Sequence, residues 1–148
     1  MLKFIAVIFL LIVFGIASGS ERSSRENKYV KMEVAVAKDT VRAGEAGSML
    51  ITLTPIEGIH INVDPAVEVM LEKDEFATLG GDPEMSSDKE TGFLAASTPI
   101  EQGFIVSSGA AAGEHVLKGT IVYYFCSDAQ GWCTKFSQPF SLKVNVLK

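Results

Sequence analysis

No cluster of lysine or arginine occurs anywhere in this chain. Its 13 basic residues stand against 18 acidic ones, for a net charge of −5, and both signs are scattered. Nucleic acid and anionic membrane surfaces are therefore not expected as partners. No segment carries the period of an amphipathic helix, which argues against bundles and mixed helix–sheet architectures. Nucleophile motifs, phosphate-cradling glycine loops and paired acidic motifs are missing, so hydrolase and nucleotide-binding chemistry have nothing to rest on. Histidine is scarce: a metal centre would have to combine Cys126, Cys133, His60 and His115, and no tight ligand spacing joins them. No metal and no other cofactor is expected. Cysteine is equally scarce, at two residues.

What is present begins with a leader. Lys3 gives a positive start, Phe4 to Phe14 is an unbroken apolar run, and Gly15, Ala17 and Gly19 place small residues where a signal peptidase cuts. The run is short beside the about 20 residues of a membrane span. Residues 1–19 read as a secretory signal peptide; the alternative is an uncleaved N-terminal anchor, which would be the chain's one membrane contact. No cysteine follows the run, so a lipoprotein anchor is unsupported. The expected location is the periplasm or cell envelope. Residues 20–28 (SERSSRENK) read as a flexible lead-in. Residues 29–148 are left as one domain; without the leader the chain has about 129 residues, enough for a proper core.

From Tyr29 the pattern has period two. Val30, Met32, Val34 and Val36 alternate with Lys31, Glu33 and Ala35; Met49, Ile51 and Leu53 follow a Gly-containing turn. Ile59, Ile61 and Val63 leave His60 and Asn62 on the opposite face, and Val67, Val69 and Leu71 suggest a further strand. Leu79 to Thr91 (LGGDPEMSSDKET) has no apolar period and reads as a long loop, a length at which loops are often functional. Strand signals return at Gly103 to Val106 and strongly at Glu114 to Cys126. There Ile121, Tyr123 and Phe125 point one way, and Thr120, Val122, Tyr124 and Cys126 the other. The last run points Phe140, Leu142, Val144 and Val146 inward. Some seven or eight strands without helices predict an all-β, immunoglobulin-like antiparallel β-sandwich.

Cys126 and Cys133 flank the six-residue segment SDAQGW, which reads as a hairpin loop. Opposite residues of an antiparallel pair lie within disulfide reach, and an exported chain meets an oxidising compartment. Closing a loop of about eight residues contributes roughly 2.5 kcal/mol in the chain-entropy model. That is modest, because the bond ties neighbours rather than distant strands. Tyr124 and Trp132 are aromatic neighbours that could shield the sulfurs or form a docking face. On these grounds a structural and a reactive disulfide stand evenly. The spacing is not that of a CxxC motif, so no pKa-lowering helix is implied.

The segments VYYFCSDAQGWC and EGIHIN, with the strand order and the long loop before Gly92, resemble the N-terminal periplasmic domain of the thiol:disulfide interchange protein DsbD. The resemblance covers roughly Tyr29 to Lys148. It implies an immunoglobulin-like domain that cycles between disulfide and dithiol without a bound cofactor, with Cys126 and Cys133 as the redox pair and Cys133 forming the mixed disulfide. It also implies exported thioredoxin-like proteins as partners, such as disulfide isomerases and cytochrome c maturation proteins. Two departures stand out. The loop is one residue longer than in the member best known. The chain also has no membrane conduit or thioredoxin-like domain of its own, so a separate membrane thiol electron transporter would have to serve it.

That family covers its disulfide with a cap loop. The matching stretch here is Asp82 to Phe93, with Phe93 as the aromatic in question, and a solvated surface loop is the alternative. Asp88 and Glu90 could set the local electrostatics: acidic neighbours raise a thiol pKa. His60 could face the pair and tune protonation, or serve as an ordinary surface polar residue. Two functions therefore compete. One is an exported carrier of reducing equivalents, a protein-disulfide reductase component. The other is a non-enzymatic immunoglobulin-like binding or assembly module with a structural hairpin disulfide.

Overall fold

The alternation in the last two runs carries into the two longest strands of the molecule. A computed structural model describes residues 26–73 and 76–148; the leader assigned to residues 1–19 and most of the lead-in lie outside the described residues. The strands are β1 (Val30–Val36), β2 (Thr40–Arg42), β3 (Ala46–Pro55), β4 (Ile59–Ile61), β5 (Glu68–Leu71), β6 (Ala77–Leu79), β7 (Ile100–Val106), β8 (Gly113–Ser127) and β9 (Trp132–Leu147). No helix occurs among the described residues.

Two sheets form. One has the order β1-β3-β7-β6; the other has β2-β9-β8-β4, with β5 also pairing β8. All pairs are antiparallel except β2 with β9. This is the immunoglobulin arrangement of two antiparallel sheets with an early strand crossing to run beside the last one. β4 and β5 together form one interrupted edge of β8: Ile59–Ile61 face Ser127–Phe125, and Glu68–Leu71 face Val122–Gly119. The interruption holds a cis peptide bond at Asp64-Pro65.

The inward residues of both sheets make the core. Met49, Ile51 and Leu53 of β3 and Ile100, Phe104 and Val106 of β7 meet Leu117, Ile121, Tyr123 and Phe125 of β8 and Leu142, Val144 and Val146 of β9. Tyr123 is fully buried, and its hydroxyl donates to Gln138 Oε1 (2.9 Å) while accepting from Asn27 Nδ2 (3.1 Å). Burial pushes its pKa above the ordinary tyrosine value. Of the three strands that are three residues long, β4 is announced because the alternation runs on to Val63, whereas β2 and β6 have too few residues to show a period.

The long segment after Leu79 is more ordered than its composition suggests. Ala95 N–H donates to Ser86 O (2.9 Å) and Asp88 N–H to Phe93 O (2.7 Å), with Ser87 and Leu94 bridged, so residues 86–95 make a small hairpin.

Among the described glycines, Gly119 has the least room for a side chain. It lies opposite Phe140 on one side and Leu71 on the other. A Cβ there would collide with the Met70 carbonyl oxygen and come within 2.7 Å of the Phe140 ring. Overpacking of this kind costs about 1–3 kcal/mol. Gly119→Ala is expected to lose at least that much in urea unfolding, whereas Ser141→Ala, on the exposed face of β9, should shift the midpoint little.

Candidate functional site

Side chains alternate along β8, so Phe125 and Tyr123 enter the core while Cys126 and Tyr124 lie on the outer face of the sheet. β9 pairs Cys133 directly with Cys126, so both sulfurs share that outer face. The two Cα atoms are 4.1 Å apart and the cysteines form a disulfide. Gly131 closes the connecting loop at φ 65°, donating its N–H to Ser127 O at 2.8 Å.

The two sulfurs are unequal. Cys126 is 5% exposed, whereas Cys133 is exposed. The difference comes from the neighbours: β8 is flanked on both sides, and at this level β9 lies only against β8. On the β4 side, His60 pairs with Cys126 and Asn62 N–H donates to Tyr124 O (2.9 Å). The Asn62 side chain turns toward the disulfide, placing Nδ2 3.5 Å from Cys126 Sγ.

The far edge of β4 is occupied as well. Leu94 N–H donates to Ile61 O (2.9 Å), which ties the 86–95 hairpin to the edge of β4 by one backbone bond. Leu94 is buried inward, and its neighbour Phe93 stacks on the His60 ring with centroids 3.6 Å apart and planes 14° apart. A row thus runs across the outer face: Phe93, His60, Cys126, Cys133. His60 Nδ1 also approaches Asp128 Oδ2 at 3.3 Å, tying β4 to the loop between the cysteines.

Measured against the sequence-based expectations, His60 and Phe93 come together beside Cys126, and Phe93 reaches the site by stacking on His60. Cys133 remains uncovered. Tyr124 lies on the same outer face, with Lys135 Nζ 5.7 Å from its ring centroid. Trp132 does not join them. It packs edge-on against Phe125 (5.8 Å) and beside Tyr29 (5.3 Å), on the core side of the hairpin, and its indole N–H donates to Gln130 Oε1.

Asp88 and Glu90 sit at the tip of the 86–95 hairpin. Asp88 Oδ1 accepts from the N–H groups of Glu90 and Thr91 (2.9 Å each) and from the Thr91 hydroxyl (3.1 Å). The backbone bonds from Thr91 and Glu90 hold its pKa below the ordinary carboxylate value. Its charge is therefore spent on the turn, and the carboxylate that does meet the site is Asp128. His115 belongs to the other end of β8, bonded to Ala111 O (2.8 Å) and stacked on Phe76. Among the described residues no group of three His, Cys, Asp or Glu side chains is placed to hold a metal ion. Asn62 and Asp128 are the residues that sequence reasoning passed over. Period two already put Asn62 beside His60, but nothing marked its amide as reaching the sulfur.

Two outcomes follow. After reduction under native conditions, iodoacetamide should modify Cys133 at least about tenfold faster than Cys126, as read by peptide mass spectrometry, because only the accessible thiolate reacts; equal rates would contradict the asymmetry. Asp88 has a depressed pKa, so what it contributes to the turn is present above about 3.9 and lost as pH falls below that. Amide exchange at Glu90 and Thr91, corrected for intrinsic rates, should rise between about pH 6 and pH 2 in the native protein (about two units either side of the ordinary carboxyl value), and Asp88→Ala should abolish that pH dependence.

No protein-family model matches the chain, and no curated protein matches it. Among solved structures, the chain is similar to one described as the ZirS C-terminal domain, with 10% sequence identity, a TM-score of 0.36, and coverage of 100% of this chain and 86% of that one. A likeness this slight carries neither fold nor function.

Proposed function

We propose that this chain is an exported thiol–disulfide exchange domain that carries reducing equivalents between thioredoxin-like partners through Cys126 and Cys133. One observation carries the reading: the disulfide lies on the outer face of a sheet with one cysteine exposed and the other buried. Exchange needs an attacking thiolate to approach one sulfur along the S–S axis while the other sulfur leaves. Cys133 offers that approach.

Its place in the strand framework supports the same reading. A bond that holds a sandwich together gains most by joining sheets or distant strands. This one joins strands already paired along their whole length, and closing so short a loop contributes only roughly 2.5 kcal/mol. The resemblance of VYYFCSDAQGWC and EGIHIN to the DsbD N-terminal domain adds to it. On this reading the domain sits in the periplasm or cell envelope, takes electrons from a separate membrane thiol transporter, and passes them to exported thioredoxin-like proteins.

The test uses Cys126→Ala and Cys133→Ala variants and an exported thioredoxin-like protein that retains only its attacking cysteine, activated as the thionitrobenzoate disulfide. Cys126→Ala should give a disulfide-linked adduct through Cys133 under native conditions, and Cys133→Ala should react only after denaturation. Failure of Cys126→Ala to form the adduct would leave the structural-disulfide module as the better assignment.

A further inference from the structure

Whichever sulfur is attacked, the other must leave as a thiolate, and that thiolate needs stabilising where it forms. Cys126 is the buried sulfur, so an unassisted thiolate there would be disfavoured by desolvation. Resting on the exchange reading above, we propose that Asn62 is a catalytic residue of this pair: its side-chain amide donates to Cys126 Sγ, stabilises the thiolate that forms there, and so directs attack to Cys133.

Both ends of the Asn62 amide face Cys126 Sγ, Nδ2 at 3.5 Å and Oδ1 at 3.7 Å; a disulfide sulfur has no hydrogen to give Oδ1, so the amide N–H is the end of the pair that can bond to it. The side chain is half-buried, and its backbone is fixed by the bond from Asn62 N–H to Tyr124 O. A donor held in place before the reaction costs no reorganisation as the charge develops. Among the described residues no cation is paired with this sulfur. The charged and titratable groups around it are His60 on β4, Asp128 bound to His60, and Lys135 over the Tyr124 ring. The amide is thus the group in direct contact with the leaving atom.

The step balances as follows. A thiolate of a partner dithiol attacks Cys133 Sγ; a new disulfide forms between partner and Cys133, the Cys126–Cys133 bond breaks, and the electron pair passes to Cys126 Sγ. The partner's second thiolate then attacks its own sulfur in the mixed disulfide and releases Cys133. The two protons of the partner's thiols end on Cys126 and Cys133, the partner is oxidised to a disulfide, and this pair is reduced. A charge-assisted N–H···S⁻ bond favours the ionised form, so it lowers the Cys126 thiol pKa and hastens its departure.

Dithiothreitol serves as the probe, so the result does not depend on any protein partner. Reduction is followed in wild type, Asn62→Ala and Asn62→Asp, and the Cys126 thiol is titrated at 240 nm in the Cys133→Ser background. Asn62→Ala should slow reduction about tenfold and raise the Cys126 pKa by about one unit. Asn62→Asp, which keeps the shape but replaces the donor by a carboxylate, should slow it further. The Cys133 thiol, titrated in Cys126→Ser, should not move. If Asn62→Ala fails to fold, Asn62→Asp alone decides. Rates within twofold of wild type and an unmoved Cys126 pKa would overturn the role of Asn62 while leaving the exchange reading intact. Failure of the adduct experiment above, with Asn62 still controlling the dithiothreitol rate, would overturn the exchange reading and leave the Asn62–Cys126 coupling standing.

Discussion

Everything at the site depends on the register of one ladder. β8 and β9 pair antiparallel from Gly113 with Val146 to Ser127 with Trp132, and Cys126 meets Cys133 one step from its end. A slip of β8 by one residue would turn Cys126 from the outer face into the core, take it out of register with Cys133 and bring Tyr123 and Phe125 out. Such a slip is opposed along the length of the ladder, because Leu117, Ile121, Tyr123 and Phe125 on one strand and Leu142, Val144 and Val146 on the other are all buried by the present register. The chemistry of two cysteines on the outer face is thus held in place by the hydrophobic pattern on the inner one.

The same ladder explains why the sulfurs differ. β8 has β4 on its other side, so Cys126 lies between His60 and Cys133, while at that level β9 pairs only with β8 and leaves Cys133 open. The edge of β4 is in turn covered by the 86–95 hairpin, which brings Phe93 onto His60. Burial of one sulfur, exposure of the other and an amide donor at the buried one are the parts that a directed exchange reaction needs. All three come from strand order.

Much of this was legible in the amino-acid pattern, and the illegible parts have physical causes. The clean alternation of β8 and β9 put Cys126 opposite the core-facing aromatics, and the even cysteine count placed the disulfide. The sandwich itself followed from period-two runs without helices. The 86–95 hairpin was hidden because its order comes from backbone hydrogen bonds and from docking on β4, neither of which leaves an apolar period. Trp132 was misplaced as a neighbour of the sulfurs because adjacency in sequence to Cys133 means the opposite face in a strand. Asp88 looked like a charge for the site, yet its carboxylate closes a local turn; Asp128, in a loop noted only for its turn residues, is the one that meets His60.

The most direct test of the central claim is the reduction potential of the Cys126–Cys133 pair, obtained by equilibrating the folded domain against dithiol buffers of known potential and quantifying the thiols. An exchange centre requires a value above about −300 mV, within reach of exported thioredoxin-like partners. A value well below about −300 mV, where structural disulfides of secreted proteins lie, would contradict it.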